Sequence, residues 1–199
     1  FDLAFMRSVP NMVVAAPMDE IELRNMMFTA QQYGKGPFSI RYPRGYGENT
    51  AWRKAFKKME IGKGRLIKPG TDLAIISIGM TGNLAKKAIN EMEDLVDIAH
   101  YDMRFVKPLD EELLHEIFKK FNVVITVEDG IINGGFGSAV IEFMVENGYS
   151  TKIKRLGVPD KFIDHGTQDQ LRKECGFDAD GIKNTIKTLV KPRVYSRVG

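Results

Sequence analysis

Three stretches of this chain carry side chains and spacings that could do chemistry. The first is Arg41-Tyr42-Pro43-Arg44-Gly45, at the end of a short apolar run. In an open α/β sheet, ligands sit beyond the carboxyl ends of the strands. A guanidinium offers a planar fork of donors that matches phosphate or carboxylate, so two arginines flanking a rigid Tyr-Pro step could bind an anion. The alternative is one arginine in a structural ion pair and the other facing solvent. The second stretch runs from Glu128-Asp129-Gly130 to Gly134-Gly135-Phe136-Gly137. Its glycines free backbone N–H groups at the start of a helix, where a phosphate could be held. The dinucleotide fingerprint is incomplete, because Val140 replaces its third glycine and the loop is too long for a tight turn. Tight packing between domains or subunits is the competing role. Glu128 and Asp129 could form an acid–base pair, or serve as a cap and a surface charge. The third stretch, Gly157–Thr167, holds His165 between Asp164 and Gly166, either fixing the loop by a hydrogen bond or taking part in catalysis. None of the three histidines has metal-ligand spacing, and no Gly-x-Ser-x-Gly elbow is present.

These stretches need elements to position them. Met12–Ala16 is an apolar run ended by Pro17 and reads as a buried strand. Asp19 is placed to cap a helix through Tyr33, with Leu23, Met26, Met27 and Ala30 on one face. Phe38–Arg41 reads as the next strand. From Gly45 to Asp72 glycines and charges are mixed without periodicity, which predicts a connector, with a short strand between Ile61 and Ile67. The densest basic group, Arg53, Lys54, Lys57 and Lys58, falls there and reads as solvated. Regular alternation then returns, with strands at Leu73–Ile78, Val96–Met103, Val123–Val127 and Lys152–Gly157. Helices between them carry Leu84, Ala85, Ala88, Ile89 and Met92, then Leu113, Leu114, Ile117 and Phe121, then Val140, Phe143 and Met144. Two helices end the chain. The alternation predicts an α/β fold with a mostly parallel sheet and helices on both faces.

Composition narrows the function classes. Hydrophobic residues make up 43% and charged residues 28% of 199 residues, enough apolar material for a sizeable core. A net charge of +3 does not argue for a nucleic-acid partner. Cys175 is the one cysteine, which forbids an internal disulfide, suits a reducing compartment and reads as a small buried hydrophobe. No apolar run approaches the roughly 18 residues that span a bilayer, so no membrane partner is expected. The chain opens on Phe1, inside what reads as folded sequence, and is expected to be a fragment.

The order of the motifs is more specific than any one of them. The segment from Phe1-Asp2-Leu3-Ala4-Phe5-Met6-Arg7 to Met12 resembles the stretch just after the Asp-Gly-x-Thr-His-x-Gly motif of the 1-deoxy-D-xylulose-5-phosphate synthases. Ala16-Pro17-Met18-Asp19-Glu20, Arg41-Tyr42-Pro43-Arg44-Gly45, Asp102-Met103-Arg104-Phe105-Val106-Lys107-Pro108-Leu109-Asp110, Thr126-Val127-Glu128-Asp129, Gly134–Ser138 and Gly157-Val158-Pro159-Asp160 then come in that family's order and spacing. Transketolases and 2-oxoacid dehydrogenase β subunits share the two-domain plan without both arginine strings.

The resemblance implies that residues 1–49 end a pyrimidine-binding α/β domain, 50–71 connect, and 72–199 form a transketolase C-terminal-type domain. It implies an enzyme that condenses pyruvate with glyceraldehyde 3-phosphate with loss of CO₂, using thiamine diphosphate and Mg²⁺. It also implies a homodimer in a bacterial cytoplasm. Arg44 would grip the substrate phosphate, with Arg41 in support. The family's catalytic and cofactor-binding residues would precede Phe1, leaving no catalytic residue, cofactor site or metal site here and an inactive fragment. Another transketolase-type enzyme or a non-catalytic interaction module are the rival readings. The His100-Tyr101 pair departs from the aliphatic residues usual at its positions.

Overall fold

The computed structural model describes residues 1–45, 47 and 54–190; Arg53 and the expected boundary at 49/50 lie outside them. The elements in chain order are α1 (Asp2–Met6), β1 (Val13–Ala15), α2 (Glu20–Gln31), β2 (Phe38–Ile40), β3 (Arg65–Lys68), β4 (Leu73–Ser77), α3 (Thr81–Asn90), β5 (Ile98–Asp102), β6 (Phe105–Lys107), α4 (Glu111–Lys120), β7 (Val123–Ile131), α5 (Phe136–Glu146), β8 (Lys152–Val158), α6 (Gln168–Cys175) and α7 (Ala179–Leu189). The fold is α/β, and none of these helices is long and apolar enough to cross a membrane.

The larger sheet has the order β3-β5-β4-β7-β8. Its pairs are parallel except β3 with β5, which is antiparallel. Strand alternation sends Leu73, Ile75, Ile98, Ile125 and Val127 to one face, under α3 and α7. Ala74, Ile76, Ala99, Tyr101 and Val124 go to the other, under α4 and α5. Each fully buried aliphatic side chain contributes roughly 1.5–3 kcal/mol of transfer free energy, so these two layers carry most of the folding drive. α2, α4, α6 and α7 start where a side-chain oxygen accepts an orphan N–H group. Asp19 accepts from Glu22 N at 2.8 Å and Asp110 from Leu113 N at 3.2 Å. Thr167 and Gln170 form a reciprocal capping box on α6.

The smaller sheet, β2-β1-β6, joins distant parts of the chain. β1 pairs parallel with β2 and antiparallel with β6. The chain leaves the large sheet at Asp102 and enters the small one at Phe105. Arg104 makes that turn in the left-handed region, at φ 58°. An L-residue there costs roughly 1–2 kcal/mol. Two contacts offset it: Arg104 N donates to Asp102 Oδ1 at 3.2 Å, and Ala16 N donates to Arg104 O at 2.9 Å. Val14 and Ala16 lie in the main core with Val106 and Leu3, while Val13, Ala15, Met26 and Phe105 form a cluster of their own. Part of the stretch read as a connector runs along α2. Lys57 N and Met59 N donate to Asn25 Oδ1 at 2.9 Å and Thr29 Oγ1 at 2.8 Å, and Phe56 stacks on Phe28. Its end supplies the edge strand β3.

Between α2, β3 and the β5–β6 turn lies a buried charge cluster. Glu22, 4% exposed, accepts from Arg65 Nη1 at 3.0 Å and from Arg104 Nε and Nη2 at 2.6 and 3.0 Å. Asp102, fully buried, accepts from Arg65 Nε at 3.1 Å. Burial pushes the Asp102 carboxyl up to about 6; Arg65 pulls it down and Glu22 pushes it further up. A raised carboxyl pKa means that the folded chain holds its proton more tightly than the unfolded chain. Asp102 therefore favours folding most below its unfolded value of 3.8, and that contribution fades as pH rises through about 6. Urea unfolding of wild type and Asp102→Asn should show their stability difference moving against wild type by about 2 kcal/mol between roughly pH 4.5 and 7.5. A constant difference, or movement the other way, would show that Asp102 is not held up by burial.

Candidate functional site

The Arg41–Gly45 segment leaves β2 at its carboxyl end, beside α6 and the ends of β7 and β8. Arg41 is fixed: its N donates to Ala15 O at 2.8 Å. Its guanidinium pairs with Asp2 at 3.3 Å and with Asp129 at 3.3 Å. Two carboxylates take its charge, so Arg41 is a strut between β2, α1 and β7. Arg44 differs. Its side chain is exposed, and among the described residues its guanidinium has no hydrogen-bond or ion-pair partner. Two clefts open beside it, of about 480 and 520 Å³. Tyr42, Pro43, Arg44, Gln168 and Arg172 line both. Pro17, Met80 and Asn83 close the first, and Phe1, Asp129, Lys161 and Cys175 the second.

The glycine-rich loop binds the chain's own carboxylate. β7 runs on to Ile131, beyond the Val127 expected from the apolar run, with a register shift before Ile131. Glu128 points inward, and its oxygens accept from Phe136 N and Gly137 N, both at 2.8 Å. A carboxylate on the N-terminus of α5 occupies the place where an external phosphate would bind. Burial raises the Glu128 carboxyl, opposed by those two backbone donors and by Arg155 and Arg7. A Cβ on Gly135 would fall 2.2 Å from Glu128 Oε2 and 2.4 Å from Ile131 O, so the loop closes only around glycine. Asp129 points the other way, to Arg41. Glu128 and Asp129 thus form no acid–base pair; one caps a helix and the other holds a strut.

The histidines are separate from one another. His100, buried in β5, lies 2.9 Å from Ser77 Oγ through Nε2, and its Nδ1 has no partner. Burial, with the charges of Arg65 and Lys86, lowers it to about 4, which makes it a neutral core residue. His115 Nδ1 lies 2.8 Å from the Tyr149 hydroxyl. His165 is exposed, and among the described residues it makes none of the loop-fixing hydrogen bonds expected of it. Cys175 is half-buried at the rim of the second cleft, its thiol pushed up by burial. No group of three His, Cys, Asp or Glu among the described residues could hold a metal ion.

Sequence reasoning passed over Gln168, whose Nε2 donates to Arg44 O at 2.6 Å. Its position at the start of a helix with a legible capping box was the available signal. It also passed over the partner of Arg41, because Asp129 is remote in the chain.

An α/β domain whose strand ends meet a second small sheet at an arginine-bearing turn is an architecture with known relatives. The chain belongs to the transketolase C-terminal domain family, whose model matches residues 62–182. It is 56% identical over 95% of its length to the 1-deoxy-D-xylulose-5-phosphate synthase of Cytophaga hutchinsonii. It is 53% identical over 94% to that of Bacteroides fragilis and 46% over 94% to that of Vibrio vulnificus. The chain spans about 30% of the length of these relatives. Among solved structures, a split-gene transketolase described as an inactive β4 tetramer superposes with a TM-score of 0.81 and 31% identity, over 94% of this chain and 60% of that one.

Proposed function

We propose that this chain is the C-terminal part of a 1-deoxy-D-xylulose-5-phosphate synthase, which condenses pyruvate with glyceraldehyde 3-phosphate and releases CO₂. The synthase relatives are more similar to it than the transketolase neighbour, at 56% against 31% identity, which favours the synthase over another transketolase-type enzyme. Residues 1–49 would end the pyrimidine-binding domain, and the C-terminal domain expected over 72–199 would also take in the end of the 50–71 stretch, since β3 is the edge strand of the large sheet and the family model starts at residue 62. The complete enzyme would be a bacterial cytoplasmic homodimer; its mass in solution tests the dimer.

The observation that carries the site assignment is the contrast between the two arginines. Arg41 is neutralised by Asp2 and Asp129, while Arg44 faces a cleft with its donors unused among the described residues. Arg44 would hold the phosphate of glyceraldehyde 3-phosphate, and Arg41 would fix the strand end that carries it. Holding the acceptor aldehyde at the reacting centre lowers the entropy cost of the bimolecular step. Thiamine diphosphate with Mg²⁺ supplies the decarboxylation chemistry in the complete enzyme. No step through it is assigned to residues of this chain, which hold no metal-ligand cluster among those described.

Losing a charge-assisted hydrogen bond to phosphate costs roughly 1.5–3 kcal/mol, about ten- to a hundredfold in binding. In the complete enzyme, Arg44→Ala should raise KM for glyceraldehyde 3-phosphate by that factor. KM for pyruvate and Tm should stay near wild type, and glyceraldehyde without its phosphate should be turned over as before. Arg44→Lys keeps the charge without the fork and should recover part of the loss. Equal damage with both aldehydes would make Arg44 a structural residue.

The chain alone should neither bind thiamine diphosphate with Mg²⁺ tightly nor form deoxyxylulose phosphate. Micromolar cofactor binding in a calorimetric titration would overturn that division of labour.

A further inference from the structure

We infer that Gln168 is a positioning residue that fixes the backbone of Arg44 from the other unit of the chain; this rests on the phosphate-binding reading of Arg44. Gln168 opens α6, but it takes no part in capping that helix, which Thr167 and Gln170 accomplish between themselves. Its side chain is left to reach outward. Nε2 donates to Arg44 O at 2.6 Å, across a sequence separation of 124 residues. Among the described residues this is the one hydrogen bond that reaches the backbone of 42–45.

The direction of that bond is set by a second contact. An amide side chain has a donor end and an acceptor end, and either can face a partner unless something distinguishes them. Arg172 does so. It lies one helical turn on, is 8% exposed, and donates from Nη2 to Gln168 Oε1 at 2.5 Å. A guanidinium has donors only, so the amide oxygen must face Arg172 and the amide N–H must face Arg44. Asp169 accepts from Arg172 Nη1 at 3.2 Å and holds the guanidinium in turn. The row Asp169, Arg172, Gln168 and Arg44 O runs between the two clefts. It pins the Cα from which the Arg44 side chain extends, so the guanidinium samples fewer placements before a phosphate arrives.

The test uses the complete enzyme with Gln168→Leu, which keeps similar bulk and removes both polar ends. One neutral hydrogen bond corresponds to about a two- to tenfold effect. KM for glyceraldehyde 3-phosphate should rise by that factor, with kcat, KM for pyruvate and turnover of unphosphorylated glyceraldehyde unchanged; Tm should fall, because the buried Arg172 loses its Oε1 acceptor. Gln168→Glu keeps the acceptor for Arg172 but loses the donor, and should be impaired at least as much. Added to Arg44→Ala, Gln168→Leu should produce no further loss, because the two act through one contact. If Gln168→Leu leaves KM for the phosphorylated aldehyde unchanged while Arg44→Ala raises it, the positioning role is wrong and the phosphate site stands. If Arg44→Ala harms both aldehydes alike, the phosphate site falls and the positioning role falls with it.

Discussion

Glu22, near the start of α2, accepts hydrogen bonds from two arginines that come from elsewhere in the chain, Arg65 of β3 and Arg104 of the β5–β6 turn. Arg65 also grips Asp102, at the end of β5. Four charged groups from three segments thus share one partly dry site. A lone buried charge is costly, and removing one member of such a set leaves the others uncompensated, at roughly 3–5 kcal/mol. The set is therefore satisfied in one arrangement only, with α2 seated against the edge of the large sheet. That Asp102 is pushed up to about 6 shows that burial outweighs its attraction to Arg65. The cluster specifies how α2 docks on the large sheet more than it stabilises the contact.

The rest of the geometry depends on that docking. Once α2 is seated, β1 lies beside β6 and the small sheet closes. Its strand β2 then delivers Arg41 to Asp2 and Asp129, and the next residues arrive between α6 and the β1–α2 turn. Asn83 Nδ2 donates to Met18 O at 3.0 Å on the first cleft, and Gln168 meets Arg44 O between the two. The first cleft beside Arg44 is thus lined from both the β1–α2 stretch and the elements after β4.

Much of the large sheet was legible because its strands are continuous apolar runs separated by helices with one apolar face, and Asp110 caps α4 as its position suggests. In the small sheet β1 and β2 were legible as short apolar runs, but β6 was not: it is three residues beside Pro108, too short for any periodicity, and its partner β1 is remote. α1, five residues long, escaped for the same reason. At the site, the spacing of Arg41 and Arg44 pointed to an anion but could not say which arginine was free. That depends on where Asp129 lies, a tertiary fact. The roles of Glu128 and Asp129 were nearer to reach: adjacent residues of a strand face opposite ways, and β7 runs through both. Nothing local marked Glu22, an acidic residue in the first turn of a helix where acidic residues are common.

Docking of α2 on the large sheet therefore turns on Glu22. Hydrogen–deuterium exchange of this chain, comparing wild type with Glu22→Gln, tests it most directly, because exchange reports local opening element by element. Loss of the charge should speed exchange in α2, β1 and the β5–β6 turn, while β4 and β7 remain as protected as in wild type. Unchanged protection of α2, or a uniform increase across the large sheet, would contradict the claim that this buried carboxylate docks α2 on the large sheet.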